Sequence, residues 1–333
     1  MVEKPKFREV PVREAVGLVL PHDMTQILPG EFKGRLFKKG HVITEVDIEP
    51  LLSIGKEHIY IMEMPEGYLH ENEAGTRIAQ AVAGSGLTLT EPYEGKVTLK
   101  ATVAGLAKIH AAAVHAINEQ EGIALATIES NQPVKAGDSL AAARIIPLIM
   151  EEERIVRVEQ IARQFGQPIV RLIPFQPKKV GVVTTGGEVF SGRIADKFGP
   201  VIRAKVEALG SMVVEQRFAP DDKERITEEI RYFVGQGVDL ILVTGGMSVD
   251  PDDRTPGAIA DAGAQVVRYG TPMLPGSMLM VAYIGEIPVL GLPGAVMHEP
   301  FTSFDVFLPR ILAGERIEAS DMTSLGYGGL RKC

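Results

Sequence analysis

From Lys179 onward, short β-branched runs alternate with amphipathic stretches, and that alternation predicts a parallel α/β sheet. Val180-Gly181-Val182-Val183-Thr184 reads as a buried strand. Ile194, Phe198, Val201, Ile202 and Leu209 then fall near helical spacing, and Gly210 supplies a stop. Met212-Val213-Val214 predicts a second strand. Asp221 opens a helix whose apolar face is Ile226, Ile230, Phe233 and Val234. Asp239-Leu240-Ile241-Leu242-Val243 is the most strand-like run in the chain. A short helix near Pro256–Ala262, strands at Val266-Val267, Leu279–Ile284 and Val289-Leu290-Gly291, and a last helix over Met297–Leu312 complete the pattern. Parallel strands need right-handed helical crossovers, so this half is expected to be a three-layer, doubly wound, mostly parallel sheet.

The first 170 residues are less regular and predict smaller mixed α+β domains. Residues 36–62 suggest a strand, a short helix and a strand; Glu71–Ala83 suggests a helix. Strand-like Lys96–Val103 and Ile123–Ile128 flank an expected helix at Ala107–Asn118, and Lys135-Ala136-Gly137-Asp138 reads as a tight turn. A charged helix over Glu151–Phe165 runs into Pro168, Pro174 and Pro177, a linker signal. The expected division is an accessory domain over 1–65, a second α+β region with its linker helix over 66–167, the α/β domain over 176–316, and a tail over 317–333.

Composition narrows the function. The 333 residues are 45% hydrophobic and 23% charged, as in an ordinary globular protein, and too many for one typical domain. No stretch is long and apolar enough for a membrane span, and the charged opening MVEKPKFREV predicts no secretory signal. The lone cysteine, Cys333, excludes an internal disulfide or a cysteine-based metal cage, which fits a reducing cytoplasm. A formal charge of −8 argues against a general nucleic-acid binder. An anionic ligand would have to be held locally, by backbone amides, a few basic groups or a metal.

Four segments follow strands where an open α/β sheet binds its ligands. Thr184-Thr185-Gly186-Gly187-Glu188 puts two glycines beside a carboxylate, although it also reads as a plain turn with a surface glutamate. Pro220-Asp221-Asp222-Lys223-Glu224 follows the second strand; Asp221 and Glu224 also have the spacing of a capping box, which would only start a helix. The sharpest is Val243-Thr244-Gly245-Gly246-Met247-Ser248-Val249-Asp250-Pro251-Asp252-Asp253-Arg254-Thr255-Pro256. Its backbone amides suit an anion, while its three aspartates would repel a phosphate unless Mg²⁺ sits between. Leu274-Pro275-Gly276-Ser277 and Gly291-Leu292-Pro293-Gly294 form the fourth pair, each an ordinary turn when taken alone. His110 and His115 do not share a helix face, and His298 stands alone, so none predicts a metal pair.

In this order and spacing, the segments over about 180–315 resemble the molybdopterin-binding domain of molybdopterin adenylyltransferases and molybdopterin molybdenumtransferases; competence-damage-inducible proteins carry a related domain. Thr185-Gly186-Gly187-Glu188 is similar to the transferase's T-G-D-E, with Gly187 in place of its aspartate. Gly245-Gly246-Met247-Ser248-Val249 resembles its G-G-V-S-V. Asp253 falls on its downstream catalytic aspartate, and Asp221 or Asp222 matches the aspartate after the second strand. Asp253-Arg254-Thr255-Pro256 resembles the D-x-T-P of the adenylyltransferases. Pro275-Gly276 and Gly291-Leu292-Pro293-Gly294 resemble K-P-G-K and G-L-P-G-N-P, with both lysines and the asparagine replaced (Leu274, Ser277, Ala295). The transferase's D-x-S-x-M-D-G-Y-A motif is absent. Gly40, Val42, Asp47-Ile48 and Ser53-x-Gly55 resemble part of a transferase accessory domain.

The resemblance implies a pterin ligand carrying a dithiolene and a terminal phosphate. It implies Mg²⁺ held by Asp221, Asp222, Asp253 and Glu188, with Asp253, Asp222 and Glu188 catalytic. Thr185, Gly186, Gly187, Gly245, Gly246, Ser248, Thr255, Pro275, Gly276, Gly291, Pro293 and Gly294 would contact the pterin. Three functions stay open: insertion of molybdate into adenylylated molybdopterin, adenylylation of molybdopterin with ATP, and pterin binding without catalysis. A homodimer is implied by resemblance alone.

Overall fold

The structure, a computed structural model, describes residues 6–28, 32–248 and 253–331. The chain divides into two compact units. The first comprises Met1–Thr102, Ile109–Ser130 and Gly137–Arg171; the second comprises Val103–Lys108, Asn131–Ala136 and Leu172–Cys333.

In the first unit, Lys6–Pro11 pairs antiparallel with His58–Glu63, and Met24–Leu28 with Phe32–Phe37. Helix Ile48–Ser53 lies between them in sequence, the strand, helix and strand expected over 36–62. Val10, Leu20, Ile43, Leu51, Ile59 and Ile61 form their shared apolar cluster. A four-stranded antiparallel sheet follows, ordered Leu87–Leu89, Val97–Ala101, Ser139–Ile145, Ile123–Thr127. Helices Glu71–Val82 and Glu152–Gln164 accompany it and are tied by Arg77, which reaches Glu152 at 2.6 Å and Glu159 at 2.9 Å. One expectation fails here. The helix placed over Ala107–Asn118 begins only at Ala111, because the His110 ring caps it by accepting from the Ala113 N–H at 3.2 Å. Gly105–Ile109 is a strand instead. At Gly105, in the second unit, a Cβ would stand 2.4 Å from the Ile173 carbonyl, so only glycine permits that approach.

In the second unit, six strands form one sheet: β1 Lys179–Thr185, β2 Met212–Ala219, β3 Leu240–Thr244, β4 Gln265–Tyr269, β5 Met280–Ile284 and β6 Ile287–Leu292. Their spatial order is β2-β1-β3-β6-β5-β4. The unit is therefore α/β, but its sheet is mixed: β2, β1, β3 and β6 run parallel, and β5 is antiparallel to both neighbours. β5 and β6 form a hairpin around Gly285-Glu286, Gly285 having φ +59°. Alternation along each strand fills two apolar layers. Val182, Leu240, Leu242, Leu290 and Leu292 join one cluster; Val183, Ile241, Val243 and Val289 join the other. Strands buried on both faces read as continuous apolar runs, which is why β1 and β3 stand out in the sequence.

The helices are α1 Gly187–Phe190, α2 Phe198–Ala208, α3 Lys223–Gly235, α4 Thr255–Asp261, α5 Ser303–Leu312 and α6 Ala319–Ser324. Two begin later than periodicity suggests, each for a capping reason. α2 starts at Phe198 because the Asp196 carboxylate takes the Phe198 and Gly199 N–H groups at 2.9 and 3.0 Å. α5 starts at Ser303 because Thr302 and Asp305 form a capping box; Gly294–Met297 is a separate 3₁₀ turn.

A half-buried ion network closes the α5 end of this unit. Arg310 reaches Glu315 at 2.7 Å and Asp321 at 2.8 Å, and Lys108 reaches Glu315 at 2.6 Å. Burial raises the Glu315 carboxyl, but hydrogen bonds from Lys108 and Arg310 outweigh it and hold the carboxyl below its ordinary range. A depressed carboxylate contributes stability that is present above its unfolded pKa and lost as pH falls through its folded one. Glu315→Gln should therefore cost about 1–3 kcal/mol at neutral pH, less than a fully buried pair because Asp321 still holds Arg310. The penalty should shrink below about pH 4, near the unperturbed glutamate value. Paired thermal melts of wild type and variant across about pH 3–7 read this directly.

Candidate functional site

The strand order reverses between β1 and β3: the chain leaves β1 for β2 on one side, then crosses to β3 on the other. Loops after such neighbouring strands diverge and leave a crevice at their carboxyl ends. Here those segments are Gly186–Glu188 after β1, a turn that runs directly into α1, and Gly245–Ser248 after β3.

A knot of threonines ties the two loops. Thr255, fully buried at the start of α4, donates its hydroxyl to the Gly245 carbonyl at 2.8 Å and lies 3.4 Å from the Thr185 hydroxyl. Gly245 has φ +88°, and a Cβ there would stand 2.4 Å from the Thr185 carbonyl. Gly246 has φ +55°; a Cβ would meet the Thr255 hydroxyl at 2.9 Å and the Asp253 Oδ1 at 3.6 Å. The glycine pair is thus required by backbone conformation and by close approach together. Behind the loops, Gln216 donates to Thr184 Oγ1 at 2.9 Å and Asp196 Oδ2 at 2.6 Å. Thr244 Oγ1 is buried with no hydrogen-bond partner among the described residues.

The carboxylates divide by role. Asp222, not Asp221, caps α3, accepting from the Arg225 N–H at 2.9 Å. That corrects the Asp221–Glu224 box by one residue. Asp221 is left to accept from the Gly187 N–H at 2.8 Å, which joins the loop after β2 to the loop after β1. Glu188 is exposed, and its main-chain carbonyl accepts from Arg193 at 2.9 Å. Asp253 is half-buried beside Gly246. Among the described residues, no group of three or more His, Cys, Asp or Glu is gathered closely enough to hold a metal ion. Val249, Asp250, Pro251 and Asp252 lie outside the described residues.

Two of the remaining motif glycines, Gly291 and Gly276, have packing reasons. A Cβ at buried Gly291, in β6, would stand 2.5 Å from the Met247 methyl, so this glycine seats the Met247 side chain under its loop. Pro293 is buried and Gly294 exposed directly after β6, the next strand along from β3. Gly276, at φ +107°, lies against α5: a Cβ would meet the Ser303 Oγ at 2.6 Å, and that hydroxyl donates to the Gly276 carbonyl at 2.6 Å. Pro275 is half-buried, while Ser248 is exposed.

Tyr269, which no motif marks, belongs to the site. At the end of β4 its hydroxyl donates to the Met247 carbonyl at 2.7 Å and approaches the Ser248 carbonyl at 3.3 Å. Burial, then the Asp253 charge, pushes its pKa up, so it remains a donor at neutral pH. Tyr269→Phe should cost about 1 kcal/mol of stability. If the Met247–Ser248 turn contacts ligand, affinity should fall several-fold as well; melts and a titration on the same sample check both.

Residues 181–313 match the family described as "Probable molybdopterin binding domain", and residues 9–63 match "Domain of unknown function (DUF8806)". Among curated relatives, the molybdopterin molybdenumtransferase of Synechococcus elongatus is 27% identical over 213 residues, covering 59% of this chain and 51% of the relative. The CinA-like protein of Mycolicibacterium vanbaalenii is 36% identical over 77 residues, 23% of this chain and 18% of the relative. The chain thus spans about half the length of the first relative and about a fifth of the second. Among solved structures, the molybdopterin biosynthesis enzyme MoaB of Thermus thermophilus aligns at 25% identity with a TM-score of 0.35, covering 41% of this chain and 98% of that one.

Proposed function

We propose, on the premise that residues 181–313 belong to the molybdopterin-binding domain family, that this protein binds molybdopterin in the crevice between the ends of β1 and β3. In this reading the unit is a three-layer, doubly wound domain, and the pterin's terminal phosphate lies along the Gly245–Ser248 turn. The observation that carries the reading is the Thr185–Thr255–Gly245 knot, which holds two glycine loops together at the strand-order reversal. Main-chain groups and the Ser248 hydroxyl would hold the phosphate, and Gly186, Gly187, Pro293 and Gly294 would line the crevice.

The carboxylates do not form a protein-only metal cage among the described residues. Mg²⁺ is, however, commonly held by one or two carboxylates together with substrate phosphates, and in this reading Asp253 and Asp221 would supply them. Bound there, Mg²⁺ would neutralise phosphate charge. Asp221 meanwhile fixes the Gly187 turn, Asp222 fixes the helix that follows Asp221, and exposed Glu188 would border the crevice mouth.

The reaction we favour is insertion of molybdate into adenylylated molybdopterin, achieved by positioning and charge neutralisation rather than a covalent intermediate. The D-x-T-P signature does not favour adenylylation over it, because Thr255 serves as the loop knot and either reaction needs that knot. Two incubations separate the readings. AMP release from adenylylated molybdopterin on adding molybdate supports insertion; pyrophosphate release from ATP and molybdopterin supports adenylylation. Pterin binding with neither product identifies a carrier.

A further inference from the structure

The first unit contains an open cavity of about 260 Å³ that none of the readings above uses. Four cationic and three acidic side chains line it. Two of the cations are already paired: Arg35 lies 3.0 Å from Asp23, and Lys38 lies 2.5 Å from Glu94. Lys39 gives its backbone N–H to Asp23 at 2.7 Å, while its exposed ammonium makes no hydrogen bond among the described residues. Arg144 donates Nε to the Ile145 carbonyl at 3.2 Å, and its Nη2 stands 4.0 Å from Glu71, beyond hydrogen-bond reach. Two cations therefore face one carboxylate.

That carboxylate is unusual. Glu71 is 9% exposed, at the first position of helix Glu71–Val82. Two left-handed glycines make room for it: a Cβ at Gly95 would stand 2.8 Å from Oε2, and one at Gly40 would stand 3.1 Å from Oε1. The same point above Gly40 is 3.7 Å from the buried His70 Nε2, which interacts with the Gly40 backbone. Since His70 Nδ1 accepts from the Asn72 N–H at 3.2 Å, its proton belongs on Nε2. Burial raises the proton affinity of Glu71 and lowers that of His70. Glu71, whose charged form burial disfavours, thus lies beneath a cationic rim, with His70 behind it.

We propose that this cavity binds a phosphate-type tetrahedral dianion, free or as the end of a small ester, gripped by Lys39 and Arg144. Glu71, buried beneath the rim, takes up a proton as the dianion enters and donates its O–H to one oxygen, and charge-assisted bonds from the two cations take the others. The cavity lies just below the range of about 300–1,000 Å³ typical of drug-sized ligands, which restricts it to a small anion. The site is independent of the pterin reading, since it lies wholly in the first unit.

Calorimetric titration of the full chain with inorganic phosphate and with glycerol 3-phosphate, at constant ionic strength, tests it. Saturable single-site binding is expected. Lys39→Ala and Arg144→Gln should each weaken it at least tenfold, and Lys56→Ala, an exposed control in the same unit, should not. Glu71→Gln should bind as well or better, because the amide still donates and carries no charge. Tighter binding of glycerol 3-phosphate assigns the site to esterified phosphate, and equal binding assigns it to the free ion. Lys39 is exposed, so its variant remains folded and keeps the test decisive. No binding at millimolar phosphate, undiminished binding in both cation variants, or loss of binding in Glu71→Gln would each overturn the proposal.

Discussion

Replacing Gly245 by alanine should be among the most damaging single-methyl changes in the second unit. The residue sits at φ +88°, where an L side chain costs about 1–2 kcal/mol. The added carbon would stand 2.4 Å from the Thr185 carbonyl and 2.6 Å from its hydroxyl. The first of these is backbone and cannot rotate away, so overpacking adds about 1–3 kcal/mol. A total loss of about 2–5 kcal/mol should lower the melting temperature by roughly 5–15 °C for a unit of this size. The same clash pushes the Gly186–Glu188 and Gly245–Ser248 loops apart, so pterin binding should fall together with stability. A melting temperature indistinguishable from that of the wild type would mean that the loops are not knotted as described.

The second large effect is expected at Asp253. It is half-buried beside Gly246, and its carboxylate makes no hydrogen bond to the described residues that an amide would break. Asp253→Asn keeps size and hydrogen-bonding capacity and removes one charge. Stability should change by no more than about 0.5 kcal/mol. Mg²⁺-dependent binding of pterin phosphate should fall about tenfold or more, by comparison with the losses usual even for groups that only support a metal ligand. Asp250→Asn is the control, since the resemblance assigns no role to Asp250; it lies outside the described residues. Titrations of both variants with and without Mg²⁺ decide the matter. Equal, small effects would reduce the acidic loop to a solvated surface.

Much of the second unit was legible because its strands are buried on both faces. Val180–Thr184 and Asp239–Val243 have few residues that could be anything else, and they became β1 and β3. The same property hides direction. Nothing in Met280–Ile284 says that it runs antiparallel, although Gly285-Glu286 between two apolar runs was an available hairpin cue. Helix starts depart from expectation wherever a cap, not periodicity, sets them, as at Asp196, Thr302 and His110. The three-stranded sheet in which Gly105–Ile109 lies between Pro133–Val134 and Val170–Pro174 was not legible, because those segments are far apart in the chain. At the candidate site, Gly245 and Gly246 stood out as a pair, and their positive φ and close contacts forbid alternatives. Tyr269 did not, because a tyrosine ending a strand has many ordinary uses.

The central claim is that the crevice between β1 and β3 holds a molybdopterin. Equilibrium titration of the full chain with molybdopterin under anaerobic conditions, beside Gly245→Ala held well below its melting temperature, tests it most directly. Saturable binding by the wild type, weakened at least about tenfold in the variant, a loss of ~1.4 kcal/mol or more, is the predicted result. No saturable binding, or equal affinity in the two proteins, would contradict it.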